Sequence, residues 1–287
     1  MQNKNVLIIG GADGIGREMA EHLVATHHVL IVGCSAKKGQ AFLETHGEAA
    51  SFVAADVSLL SNVVALANQI KQQYSCLDFI IHTADILRMK RVSTAEGLET
   101  SIAINYYSRV LLNHLLLEQF QPERILHIAA AGYPGGSDFA KKFPIADNAS
   151  SFTGHGYGQI ANDIYGLFVH DSLQKRGTKI NILNPGMVDT DIRRNGQFPK
   201  VFQLLEPVLG LLLKPFTTTP TQYAQIPLAI VRGENEAADQ QILINAKGKA
   251  IKGSKTVNDP AVQQYAHEQT WQTIENLVNV RPAPTTA

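Results

Sequence analysis

The sequence has no uninterrupted apolar run of the ~18 residues that a membrane-spanning helix needs. The nearest, Val201 to Phe216, is broken by Gln203, Glu206, Pro207 and Lys214. It has only two cysteines, Cys34 and Cys76, in 287 residues. That count excludes a disulfide framework and gives no metal-ligand spacing, so both read as small core residues of a reducing compartment. Neither sign of charge is in excess, with 25 Lys plus Arg against 25 Asp plus Glu. No global field therefore favours nucleic acid or an acidic surface. No signal peptide is expected, because a strand-like run starts as early as Asn5. No internal repeat, low-complexity block or linker divides the chain. These absences lead to the expectation of a cytoplasmic globular protein. Hydrophobic residues at 45% against 17% charged supply enough apolar surface for a sizeable core.

What is present is concentrated at the start. Val6 to Ile9 is a continuous β-branched-rich apolar run, the mark of a strand covered on both faces. Gly10, Gly14 and Gly16 follow, and then helical periodicity from Arg17 to Val24. Strand, glycine turn and helix in that order form a phosphate site. Gly10 permits the tight turn, Gly14 lets the backbone approach a pyrophosphate, and Gly16 lets the helix pack on the strand. The pyrophosphate is held by free N–H groups and the helix dipole. Asp13 and Ile15 lie inside the same turn and are candidate contacts.

Strand and helix signals then alternate along the chain. Strands are expected at 28–32, 50–55, 77–82, 124–130, 178–183 and 241–244. Helices are expected at 37–45, at 62–73 after a Ser58 cap, at 97–120, 157–175, 221–231 and 263–278. A glycine-rich polar loop is expected over 132–154. Such alternation predicts an α/β fold, a single-domain doubly wound parallel sheet with helices on both faces, spanning 1–287. Ligands in such sheets bind beyond the carboxyl ends of the strands, which is where the informative residues fall.

At these positions the chain resembles the short-chain dehydrogenase/reductase family over nearly its whole length, and it is similar to the retinol-dehydrogenase-like branch. Gly10, Gly14 and Gly16 match the family's T-G-x-x-x-G-x-G, with Ile9 at the threonine. Asp56, followed by Val57, matches a residue that contacts adenine, and Asn105 matches the active-site asparagine. Asn181 and Asn184-Pro185-Gly186-Met187-Val188-Asp189-Thr190 match N-x-x-x-P-G-x-x-x-T, which cradles the nicotinamide. The resemblance implies a Rossmann-like fold that binds NAD(P), and a homo-dimer or homo-tetramer through the long helices. Ala84, Pro185, Gly186, Val188 and Thr190 join the cofactor contacts, and Thr190 would bond the carboxamide.

The departures fall on the chemistry. The family's N-N-A-G is His82-Thr83-Ala84-Asp85 here, and its serine is Ala129 or Ala130. Asp85 would either crowd the cofactor or contact it. His82 could line the cleft or be structural, whereas His127 reads as a core histidine. Aligning Y-x-x-x-K without a gap puts His155 at the tyrosine and Gln159 at the lysine. Keeping Tyr157 as the acid requires a two-residue shift and leaves Ala161 at the lysine. The family's lysine lowers the tyrosine pKa from about 10 toward neutrality, and its serine bonds the developing alkoxide. A histidine can serve as an acid near neutral pH. The catalytic candidates are therefore Asn105, Tyr157 and His155.

No acid follows the second strand to bond a ribose 2′-OH. Ser35 with Lys37 or Lys38 could hold a 2′-phosphate, so NADP is expected, with NAD possible. The apolar stretch within 190–220 falls where the family places its substrate lid, which points to a lipophilic small molecule, with a subunit interface or a membrane-surface patch as the alternatives. The expected function is an NAD(P)-dependent oxidoreductase acting on a carbonyl or alcohol, with a non-standard proton donor. Two alternatives stay open: a non-redox enzyme (cyclase, isomerase or lyase) on the same fold, or a catalytically silent dinucleotide-binding protein.

Overall fold

A computed structural model describes residues 3–88, 90–144, 150–189 and 217–282. Thr190 and the apolar stretch Val201 to Phe216 lie outside the described residues. The strands are β1 (Asn5–Ile9), β2 (His28–Gly33), β3 (Ala50–Ala54), β4 (Phe79–His82), β5 (Arg124–Ile128), β6 (Lys179–Leu183) and β7 (Leu243–Ile244). They form one sheet in the order β3-β2-β1-β4-β5-β6-β7, and every pairing is parallel. The order reverses between β1 and β4. Loops leave their carboxyl ends in opposite directions there, and a crevice opens.

The helices are α1 (Gly14–Leu23), α2 (Ala36–His46), α3 (Leu60–Gln73), α4 (Thr100–Ile102), α5 (Ser108–Leu117), α6 (Phe139–Lys142), α7 (Ser151–Lys175), α8 (Pro220–Val231), α9 (Glu236–Gln240) and α10 (Pro260–Val278). Successive strand residues point to opposite faces of the sheet. Accordingly Val6 and Ile8 pack with Met19, Phe42 and Leu228 on one side. Leu7 and Ile9 pack with Leu66, Leu111, Tyr106 and Trp271 on the other. Each such side chain contributes about 1.5–3 kcal/mol of burial. Among the described residues no helix is long and apolar enough to cross a membrane.

Four local expectations are corrected. Both cysteines are exposed rather than core residues. α3 starts at Leu60, and Ser58 does not cap it: its first amides, Leu60 N–H and Ser61 N–H, donate to the Glu96 carboxylate at 2.6 and 3.0 Å. A distant carboxylate does what a local serine was expected to do, because an anion is favoured at a helix start wherever it comes from. Glu96→Ala should therefore cost about 1–2 kcal/mol in a urea melt, while Ser58→Ala should cost a few tenths.

The long helix expected over 97–120 is interrupted. Between α4 and α5 the turn Ala103–Tyr107 is π-helical, and Ser108 N–H reaches back five residues to Ala103 O. Asn105 sits in this widened turn, a form of turn that recurs at functional sites. α7 begins at Ser151, six residues before the expected start. Its N-cap is Ser150, whose hydroxyl accepts Thr153 N–H at 3.1 Å. His155 is thus a helical residue and not part of a loop.

Candidate active site

The crevice beyond β1 and β4 is a cavity of about 590 Å³, within the range of cofactor sites. Gly10 starts it. Its N–H donates to Val32 O at 2.8 Å, and its φ of +88° favours glycine. A Cβ on Gly10 would lie 2.5 Å from Ala84 N, so this turn and the strand beside it can close only over glycine. Gly16 lies behind the cavity, where a Cβ would meet Thr83 Oγ1 at 2.3 Å and Gly10 O at 2.5 Å. It serves helix–strand packing. Asp13 caps α1 by accepting Gly14 N–H at 2.9 Å.

The lining follows the sheet edge. Gly10, Asp13, Gly14 and Ile15 come from the first turn, Ser35 and Lys38 follow β2, and Asp56 and Val57 follow β3. Ala84 and Asp85 follow β4, His155 and Gln159 come from α7, and Pro185, Gly186 and Val188 follow β6. Lys37 is not in the lining. Its neighbour Lys38 is, paired with Asp13. Asn184 shapes the Pro185-Gly186 turn, with Oδ1 accepting Gly186 N–H and Nδ2 donating to Ala131 O, both at 2.8 Å. A glycine turn at a helix start, a long cleft and polar groups at both ends fit a dinucleotide.

At one end of the cleft, beyond β4 and β5, four side chains meet. Asn105, fully buried, is pinned to the backbone of Ile86: its Oδ1 accepts Ile86 N–H at 3.0 Å and its Nδ2 donates to Ile86 O at 3.2 Å. The same Nδ2 lies 2.9 Å from His155 Nδ1. One turn along α7, Gln159 Oε1 accepts Ala130 N–H at 2.8 Å. Its Nε2 stands 3.4 Å from both His155 Nε2 and Asp85 Oδ2. Asp85 Oδ1 is 3.6 Å from His155 Nδ1. Behind them Arg109, buried in α5, donates from Nη2 to Ala84 O at 2.7 Å. Burial lowers its pKa to about 10, and Asp85 opposes that shift, so Arg109 is charged at neutral pH.

Tyr157 is elsewhere. Its hydroxyl donates to Asp138, which also pairs with Lys142. Its ring packs on Phe139 at 5.7 Å between centroids. Burial and the Asp138 carboxylate push its pKa up to about 12, and it is not in the cavity lining.

Behind this site runs a buried polar chain that the sequence did not reveal. His82 Nε2 bonds Asn113 Oδ1 at 2.8 Å, and Asn113 Nδ2 reaches His127 Nε2 at 2.9 Å. His127 Nδ1 bonds Asn162 Oδ1 at 2.8 Å, and Asn162 Nδ2 donates to Asn105 O at 2.8 Å. The Asn113 amide N–H faces His127 Nε2, so the neutral His127 ring with its proton on Nδ1 is the form that completes the chain. Burial and Arg109 take the His82 pKa down to about 3, against an opposing bond from Asn113. Both histidines are therefore fixed, neutral parts of the scaffold that holds the π-turn.

Sequence reading left two contributors unassigned, Asp85 and Arg109. The available signal for Asp85 was that it departs from the family pattern together with His155. Nothing in the sequence marks Arg109.

The sequence model described as short chain dehydrogenase matches residues 4–129. Among curated proteins, an uncharacterized oxidoreductase of Saccharomyces cerevisiae is 25% identical, covering 91% of this chain and 85% of its own. Human retinol dehydrogenase 14 is 26% identical, with 78% of this chain and 73% of its own covered. Human polyprenol dehydrogenase is 23% identical, with 84% and 76% covered. Among solved structures, a short chain dehydrogenase from Burkholderia cenocepacia in complex with NADP has the same fold: TM-score 0.62, 19% identity, 86% of this chain and 98% of that one. The glycine turn, the cleft and these likenesses agree: residues 4–129 match the short chain dehydrogenase model, and over most of its length the chain is similar to oxidoreductases that include retinol dehydrogenases.

Proposed function

We propose that the protein is an NADP-dependent oxidoreductase that interconverts a carbonyl and an alcohol on a lipophilic small molecule, with His155 as the proton donor. The observation that carries this reading is the contact of His155, which lines the cleft, with Asn105 at 2.9 Å. It unites the family's asparagine with the residue that a gapless count puts at the tyrosine. A bound reduced nicotinamide would supply hydride to the carbonyl carbon. His155 supplies the proton to the carbonyl oxygen, Asn105 holds the ring, and the Asn184-Pro185-Gly186 turn supports the nicotinamide end. Tyr157 is a packing residue in this reading, since its hydroxyl is engaged by Asp138.

NADP is favoured over NAD because Ser35 and Lys38 rim the cavity after β2 and no acid follows that strand. A lipophilic substrate is supported by the apolar stretch Val201 to Phe216. The names of the retinol and polyprenol dehydrogenases among the relatives support it too. One observation favours a second reading, non-redox chemistry on the same fold: alanines stand at the serine position, and Gln159 replaces the lysine.

The test is to titrate the protein with NADPH and NADH by nicotinamide fluorescence, then to assay a panel of apolar ketones. NADPH is expected to bind more tightly than NADH. His155→Gln should lower kcat about 10²–10⁴-fold with nucleotide Kd unchanged, the range for loss of a general acid, and Tyr157→Phe should keep turnover. Absence of nucleotide binding, or full activity in His155→Gln, overturns the proposal. Binding without turnover on any ketone favours the non-redox reading.

A further inference from the structure

We propose that Asp85 is a positioning residue for His155: it receives the ring's Nδ1 proton and so leaves Nε2 as the nitrogen that exchanges a proton with the substrate. This rests on the reading of His155 as proton donor and adds to it the group that sets the ring's protonation state. Asp85 stands where the family pattern has a glycine, and His155 where it has a tyrosine.

Asn105 fixes one side of the ring. Its amide cannot be turned over, because Ile86 N–H requires an acceptor and finds Asn105 Oδ1 at 3.0 Å. Asn105 Nδ2 therefore offers a hydrogen to His155 Nδ1 at 2.9 Å. That contact, shorter than the 3.4 Å approach of the Gln159 Nε2–H to His155 Nε2, favours a neutral ring with its proton on Nε2, a form that cannot accept a proton at Nε2. A ring that has delivered a proton from Nε2 must keep one on Nδ1, and that proton needs an acceptor. Two oxygens are within reach, Ile86 O at 3.3 Å and Asp85 Oδ1 at 3.6 Å. Asp85 Oδ1 is buried and has no hydrogen-bond partner among the described residues. A buried carboxylate oxygen without a donor is costly unless it is used, and His155 Nδ1 lies beside it.

The surrounding charges agree. From α5, Arg109 lies close enough to Asp85 to feel its charge. From the segment before α4, the buried Glu99 approaches Gly154, where a Cβ would lie 2.6 Å from its Oε2, and that oxygen is held by Ile102 N–H at 3.0 Å. The neighbours of His155 on the π-turn and on α7, Asn105 and Gln159, are uncharged amides. Asp85 is thus the anion that faces the ring nitrogen.

In the reduction, hydride from the C–H bond of a bound reduced nicotinamide, which is thereby oxidised, adds to the carbonyl carbon and the C=O π pair moves to oxygen. That oxygen takes the Nε2 proton: the N–H bond breaks and an O–H bond forms. The ring passes from doubly protonated to neutral with its proton on Nδ1, facing Asp85. Solvent then restores the Nε2 proton. Alcohol oxidation runs the same transfers backwards. Asn105 favours the resting tautomer and Asp85 the working one.

The test is ¹⁵N NMR of the full chain labelled in histidine, with His155 assigned through His155→Gln, at pH 6 and with no nucleotide present. In Asp85→Asn the ratio of the Nδ1–H to the Nε2–H form of the neutral His155 ring should fall about tenfold or more. In turnover, kcat should fall about tenfold with KM and NADPH Kd within about twofold of wild type. An unchanged ratio in folded Asp85→Asn overturns the proposal. If that variant does not fold, wild type decides: the ¹³C signal of the Asp85 carboxyl must move at the His155 midpoint, and a flat signal overturns the pairing. If the ratio responds but His155→Gln retains turnover, the functional reading fails and takes the catalytic role with it, while the pairing stands. If His155→Gln loses turnover and the ratio is unmoved, Asp85 alone is refuted.

Discussion

Asp163→Asn is expected to remove the stability penalty that Asp163 alone adds as pH rises from 4 to 7, and to make the protein about 1–3 kcal/mol more stable at pH 8. Asp163 lies one turn beyond Gln159 on α7 and is 1% exposed. Its Oδ2 accepts Gly132 N–H at 2.8 Å, and Oδ1 has no hydrogen-bond partner among the described residues. Burial pushes its pKa up to about 7, with the Gly132 bond opposing. The unfolded chain releases this proton near its ordinary value of 3.8, while the folded chain keeps it to about 7. Stability from this group is therefore full below pH 4 and falls until the folded group has ionised. Roughly three units at 1.36 kcal/mol each give a penalty of about 4 kcal/mol at pH 8. Asparagine removes the charge but buries an amide N–H without a partner, which returns about 1–3 kcal/mol.

His82 and His127 act in the opposite sense. Both pKa values are lowered by burial, that of His82 to about 3. Their stability is full above about pH 6.5 and is lost on acidification. Two histidines outweigh one aspartate between pH 4 and 6.5, so wild type should be most stable near pH 6.5. Urea melts at pH 5, 6.5 and 8 check both claims. An Asp163→Asn protein no more stable than wild type at pH 8 would refute the assigned penalty.

The second large effect is expected of Gly10→Ala, a loss of about 3 kcal/mol together with loss of nucleotide binding. Two terms add. A side chain at φ +88° is strained by about 1–2 kcal/mol. A Cβ at 2.5 Å from Ala84 N and 2.8 Å from Ala84 Cα meets backbone, which cannot swing away, and overpacking of that kind costs about 1–3 kcal/mol. Gly47→Ala is the internal control. Gly47 also has a positive φ, +56°, but a Cβ there meets nothing within 4 Å, so only the strain term of about 1–2 kcal/mol remains. Unfolding melts of both variants, with NADPH titration of Gly10→Ala, separate the terms. Equal destabilisation of the two would refute the claim that the first turn closes against β4.

The sequence by itself determined the alternation of strands and helices, because a strand buried on both faces must be a continuous apolar run, and Val6 to Ile9 is one. It also determined the glycine turn, since Gly10, Gly14 and Gly16 have their meaning in a local strand–turn–helix path. It named Asp56, Gln159, Pro185 and Gly186, which the fold gathers along one cleft.

Only the tertiary structure decided which side chain of α7 faces that cleft. His155 and Gln159 are four apart and share a face, whereas Tyr157 is turned by roughly 200° from His155. That choice depends on where the helix begins, and Ser150 sets the start six residues before the periodicity becomes visible. The same holds for Asp85, brought to His155 from the end of β4, and for the chain from His82 to Asn162. These contacts join residues far apart in the chain, and no local pattern encodes them. Apolar periodicity is written in neighbours and can be read there. Hydrogen-bond partners of buried polar groups are chosen by packing, so they are decided only once the sheet and its helices have closed.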